Sequence, residues 1–178
     1  MKTLVIQPKD SSTDFLKEIY QERDWTVINE WNLSKYELIK AVESHDRIVM
    51  MGHGTPAGLI GYTGIFMTPS FISVLQEKDC VCIWCNADQY VKRNNIKGFF
   101  TGMFISEVGE ARYFRIETTQ KEIDYSNNLF TKAVTKYIDS EDMWGRIVEE
   151  YRGDDLVIQY NNQRLYYRKE ITNEPIIL

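Results

Sequence analysis

The run Cys80-Val81-Cys82-Ile83-Trp84 is apolar at every position, with no polar residue alternating through it. A strand of that kind has no face to give to water and belongs in the middle of a parallel sheet covered on both sides. Parallel neighbours need long crossover connections, usually helices, and the preceding chain has that pattern. Thr3 to Gln7 is a short apolar run stopped by Pro8, after which Ser11-Ser12-Thr13-Asp14 offers N-cap residues before an amphipathic segment, Phe15 to Gln21. Trp25 to Asn29 is rich in aromatic and β-branched residues. A helical segment beginning at Leu33 follows, with Leu38, Ile39 and Val42 on one side. Arg47 to Met51 is a third apolar run.

Gly52-His53-Gly54 closes that run, and the Gly/Pro-rich stretch through Pro69 reads as a loop, with Ser70 capping a helix from Phe71 to Glu77. Beyond the Cys80 strand, the sequence predicts a short helix over Gln89–Asn94, a fifth strand over Gly98–Phe104, and a helix from Ser106 and Glu107 to about Tyr113. Two helices follow near Tyr125–Tyr137 and Glu141–Tyr151, and Leu156–Tyr160 with Leu165–Arg168 around Asn161-Asn162 reads as a β-hairpin. Repeated strand-helix units argue for an α/β fold, a three-layer α/β/α sandwich with a mainly parallel central sheet and a C-terminal hairpin. No repeat or linker divides residues 1–178, so a single domain is expected, long enough to bury roughly 70% of its unfolded surface.

Charge narrows the partners. The 21 basic and 26 acidic residues give a net −5 and are scattered, so no basic face is offered to nucleic acid. No apolar run approaches the ~20 residues of a membrane helix, and the N-terminal run is too short for a signal-peptide core. A cytoplasmic location is therefore expected. The three cysteines, Cys80, Cys82 and Cys85, are an odd and local set, which is no disulfide framework. Cys82 and Cys85 form a Cys-x-x-Cys pair, but a second pair is missing and the two histidines are not at ligand spacing, so neither metal nor cofactor is expected. Oligomeric state is left open.

Open parallel sheets carry ligand sites at the carboxyl ends of their strands, and two chemically notable residues fall there. His53 follows the third strand and Cys85 the fourth; on adjacent strands they start roughly 5 to 10 Å apart. A thiol is a few per cent ionised at neutral pH, and an imidazole beside it takes its proton or stabilises the thiolate. Cys85 is thus the candidate nucleophile and His53 the acid/base. The N–H of Gly54, where a substrate carbonyl can approach closely, would form an oxyanion hole with that of Cys85. Asp88, Glu107 and Glu110 are candidates for an acidic pocket accepting a basic substrate side chain.

Ile48-Val49-Met50-Met51-Gly52-His53-Gly54 and Val81-Cys82-Ile83-Trp84-Cys85 together form an apolar strand ending in His-Gly, a helix, and an apolar strand ending in Cys. This pattern resembles the caspase-like cysteine peptidases, including caspases, gingipains, separases and bacterial CHAT domains. It covers mainly Arg47 to Phe104. The resemblance implies a cysteine hydrolase with His53 as general base and Cys85 as nucleophile, acting on a peptide or protein substrate. Gly102 to Ala111 also resembles part of an uncharacterised bacterial family, which assigns no role.

Structural explanations stand beside these. A cysteine ending a buried strand is usually a small hydrophobe, and Cys80 and Cys82 share one strand face and read as core, whereas Cys85 has the opposite parity. Acidic residues at helix starts commonly pair with the helix dipole. His45 reads as a helix-end residue, and Trp144, Tyr151, Tyr160, Tyr166 and Tyr167 as packing. Two other functions stay open: a non-catalytic binding or regulatory module of the same fold, and a flavodoxin-like small-molecule binder, which lacks a glycine-rich phosphate loop.

Overall fold

The computed structural model describes residues 1–30, 34–61, 64–65 and 69–169. In chain order its elements begin with β1 (Thr3–Ile6), a 3-10 helix (Ser11–Ile19), β2 (Thr26–Ile28), α1 (Lys35–Glu43) and β3 (Arg47–Met51). Three short strands follow, β4 (Gly54–Thr55), β5 (Gly58–Gly61) and β6 (Gly64–Ile65). Next come α2 (Pro69–Leu75), β7 (Asp79–Ile83), α3 (Ala87–Arg93) and β8 (Gly98–Thr101). The chain closes with α4 (Val108–Tyr113), α5 (Gln120–Tyr137), α6 (Met143–Glu150), α7 (Leu156–Asn162) and β9 (Leu165–Arg168).

Six strands form the main sheet in the order β2-β1-β3-β7-β8-β9, parallel except for β9, which runs antiparallel to β8. Alternation along the central strands builds two apolar layers. Val5, Val49, Met51, Val81, Ile83 and Phe99 face the 3-10 helix, α5 and α6. Leu4, Ile6, Ile48, Met50, Cys80 and Cys82 face α1, α2 and α3. These side chains are almost wholly buried, each worth about 1.5–3 kcal/mol for a residue of Val, Leu or Ile size. The molecule is thus the expected α/β sandwich, and Cys80 and Cys82 lie in its core.

Several expectations are corrected in detail. Leu156–Asn162 is a helix, capped by Asp155, whose side chain accepts from the Val157 and Ile158 N–H groups; it is not the first strand of a hairpin. The C-terminal antiparallel pairing instead joins β9 to β8. The first helix starts at Ser11 with Asp10 as its cap, and its buried Thr13, Leu16 and Ile19 recur every third residue, the period of a 3-10 turn. Ser70 lies inside α2, which opens with Pro69, a residue suited to a first turn. The stretch expected as a loop holds a three-stranded antiparallel sheet, β4-β5-β6. Leu33 and residues 62–63 and 66–68 of those readings lie outside the described residues.

Candidate functional site

The parallel pairing of β3 with β7 aligns Val49 with Val81 and Met51 with Ile83, and the Gly52 N–H extends it by donating to the Ile83 carbonyl at 3.1 Å. His53 and Cys85 each lie two residues beyond that last aligned pair. Met51 and Ile83 face the layer of the 3-10 helix, and His53 and Cys85 border a cavity with Phe15 and Leu16 of the same helix. Gly52 sits at φ +140°, a conformation that L side chains rarely adopt, and there the chain leaves the sheet. His53 and Cys85 both line a small cavity of about 20 Å³, together with Phe15 and Leu16 of the 3-10 helix and Phe104. That is room for about one water molecule.

The two side chains do not hydrogen-bond to each other among the described residues. His53 Nε2 lies 2.7 Å from Ser12 Oγ and 3.9 Å from Asp10 Oδ1. The hydroxyl of Ser12 donates to Asp10 Oδ1 at 2.7 Å, as does its N–H at 2.9 Å. These hydrogen bonds hold the Asp10 carboxyl below its ordinary range. A serine hydroxyl has one proton to give, so His53 Nε2 must be the donor to Ser12 Oγ. Neutral His53 then carries its lone pair on Nδ1, the nitrogen left for base chemistry.

Cys85 has other company. Its thiol donates to the Phe104 carbonyl at 3.4 Å and lies 3.7 Å from Glu110 Oε1. Burial first, and then the negative charge of Glu110, push it up to about 12. In this arrangement Cys85 is a protonated thiol. Glu110 is itself held by its other oxygen, which accepts from the Ser106 N–H at 2.8 Å and the Glu107 N–H at 3.1 Å.

Trp84 fastens the two strand ends together. Its indole N–H donates to the Thr55 carbonyl at 3.2 Å, and its ring packs edge-on against Tyr90. A Cβ at Gly54 would fall 2.0 Å from Trp84 Cδ1, so only glycine permits this approach. On the other side, buried Thr101 accepts from the Trp84 N–H at 3.2 Å and donates to its carbonyl at 2.9 Å. The turn carrying Cys85 is thereby tied to β8 as well as to β4. No family model matches this chain, and no curated protein does.

The acidic candidates separate. Asp88, on α3, pairs with Lys92 at 3.2 Å and lines none of the described cavities. Glu107 lines a wide groove beside the His53–Cys85 cavity, and Glu110 turns to Cys85. Beyond His53, away from Cys85, a pocket of about 120 Å³ is bordered by Pro8, Asp10 and Ile60. Among the described residues no group of three or more His, Cys, Asp or Glu could hold a metal ion, and no helix is long and apolar enough to cross a membrane. His45 is engaged structurally, with Nδ1 at 2.6 Å from the Ala41 carbonyl and Nε2 at 2.9 Å from Thr26 Oγ1.

Sequence reasoning missed Asp10, Ser12 and Trp84. Asp10 and Ser12 stand in a cluster of cap-forming residues, and such a cluster at the end of a first parallel strand was the available signal.

Proposed function

We propose that the chain is a thiol-dependent hydrolase of caspase-like architecture, acting on a peptide or other acyl compound, with its nucleophile at rest in this conformation. The observation that carries the reading is the shared cavity of His53 and Cys85 at the ends of adjacent parallel strands. Turnover requires the thiol to leave Glu110 and give its proton to His53 Nδ1. The thiolate then adds to the acyl carbon, and the imidazolium returns the proton to the departing group as that bond breaks. Water, deprotonated by His53, cleaves the resulting thioester and restores the thiol.

The Gly54 N–H supports an oxyanion role. The Ile60 N–H donates to the His53 carbonyl, which makes His53–Ile60 a hydrogen-bonded pair and the next pair, Gly54–Leu59, a non-bonded one. The Gly54 N–H is therefore free of the β4-β5 ladder. Unpaired thiols fit a reducing compartment, and a cytoplasmic location belongs to the same reading.

A second reading, a non-catalytic binding module using the same cleft, is favoured by the contact of the thiol with Glu110. Intact-mass spectrometry after exposure to peptidyl acyloxymethyl ketones near neutral pH separates the two. A hydrolase forms an adduct that is lost in Cys85→Ala and arises about a hundredfold more slowly in His53→Ala. An absent adduct, or one indifferent to His53, overturns the hydrolase and leaves the binding module.

A further inference from the structure

The direction in which strands are added to the sheet reverses between β1 and β3. From β1 the chain passes to β2 on one side, then returns to β3 on the other, after which β7 and β8 continue outward. In open parallel sheets ligands bind in the crevice outside the carboxyl ends of the strands where the order reverses. A pocket of about 120 Å³ lies at that place. Pro8, Lys9 and Asp10, which follow β1, form one side, and His53, Ile60 and Gly61, which follow β3, form the other. The 2.7 Å contact of Ser12 Oγ with His53 Nε2 joins the loops that carry the two sides.

The wall discriminates among occupants. Pro8 is buried, whereas the fold leaves Ile60, a large aliphatic side chain, 38% exposed. The Ile60 N–H donates to the His53 carbonyl at 2.8 Å, which fixes that residue beside the imidazole. Lys9 and Asp10 are both exposed and of opposite charge, so together they offer no net charge to an ion. A phosphate would meet the Asp10 carboxylate, and a cation the Lys9 ammonium. An apolar cavity of about 150 Å³ takes up benzene, so this slightly smaller pocket suits a branched aliphatic side chain and is too small for an indole. Such a side chain would cover Ile60, and each methyl group that it buries would strengthen the contact.

We propose that this crevice receives a branched aliphatic side chain, of valine to leucine size, from a bound peptide. Which residue of the peptide supplies it rests on the hydrolase reading. There the thiolate of Cys85 adds to the acyl carbon and His53 gives its proton to the departing group, so the departing residue lies toward His53. The pocket lies beyond His53, away from Cys85. The crevice is then the subsite for the residue on the departing side of the cleaved bond.

Two measurements on the full chain test the proposal. In isotope-edited NMR titrations, leucinamide should shift the amide signals of Lys9, Asp10, Ile60 and Gly61 to saturation, with glycinamide binding about tenfold more weakly. Cys85→Ala should respond as the wild type does, and Ile60→Ala, at an exposed position, should weaken leucinamide about fivefold. Equal binding of the two amides, or shifts confined to other residues, overturns the proposal. The second measurement compares Cys85 adduct formation by two peptidyl acyloxymethyl ketones that differ only in the departing carboxylate, isovalerate or acetate. The isovalerate reagent should react about tenfold faster, and its advantage should shrink to about twofold in Ile60→Ala. Adducts formed at equal rates in the wild type overturn the departing-side assignment. Leucinamide binding without an adduct from either reagent refutes the hydrolase alone and leaves the aliphatic pocket standing.

Discussion

Glutamine at position 110 should release Cys85 from the charge that helps to keep it protonated. The thiol stands at about 12 against an ordinary 9.0, raised by burial and then by a carboxylate whose Oε1 is 3.7 Å away. That rise is ~4 kcal/mol in favour of the thiol, about a thousandfold less thiolate below pH ~9. Alkylation proceeds through the thiolate. Wild-type Cys85 should therefore react with iodoacetamide about a thousandfold more slowly than an unhindered cysteine peptide, with a rate that climbs about tenfold per pH unit.

Two unit charges about 4 Å apart interact by ~4 kcal/mol at an effective dielectric near 20. Burial supplies the larger share of the shift, so Glu110→Gln should lower the thiol by about one to two pH units and speed alkylation roughly 10- to 100-fold. Glutamine keeps the carbonyl oxygen that accepts from Ser106 and Glu107, so the start of α4 should survive. Fragment-ion mass spectrometry distinguishes Cys85 from its neighbours Cys80 and Cys82. Equal rates in wild type and variant would refute the charge argument, and a wild-type profile that levels off below pH ~9 would refute the raised value itself.

Three further measurements probe the fold. Cys80, Cys82 and Cys85 are all raised, chiefly by burial; the stability this contributes is complete below the unfolded value near 9 and is lost as pH rises toward the folded values. Between pH ~9 and ~10 the unfolding free energy from urea titration should fall by about 1 kcal/mol per pH unit for each thiol, and Cys85→Ala should remove about a third of that slope; a free energy flat across this range would contradict this. Gly109→Ala, in a helix with open space at the Cβ, should stabilise by about 0.5–1 kcal/mol and raise Tm by about 2 °C, whereas a lower Tm would show the position to be crowded. Gly54→Ala drives a methyl into Trp84 and should cost about 1–3 kcal/mol in a denaturant titration, with much of the loss recovered in a Trp84→Leu background; an equal loss in both backgrounds would remove Trp84 as the cause.

Much of the central sheet was legible because its signals are local. The runs around β1, β3 and β7 were found to within a residue or two, and the opposite parity of Cys85 to Cys80 and Cys82 follows from the two-residue period of a strand. The tail was not. Asn161-Asn162 has turn chemistry, yet Asn161 is buried, accepting from the Ile105 N–H at 2.7 Å and donating to the Ile105 carbonyl at 2.8 Å. That partner lies 56 positions away, and nothing in the local sequence announces it.

The sequence by itself determined the α/β class and the end of the sheet at which His53 and Cys85 emerge, because apolar runs separated by helical segments are a local pattern and parallel strands joined by helices share one carboxyl edge. Only the tertiary structure decided the partner of each side chain. His53 meets Ser12, 41 positions before it, and Cys85 meets Glu110, 25 positions after it. Those pairings arise because the 3-10 helix and the start of α4 pack over the strand ends. Hydrogen bonds and charge effects act over a few ångströms, and only packing brings residues so distant in the chain within that range.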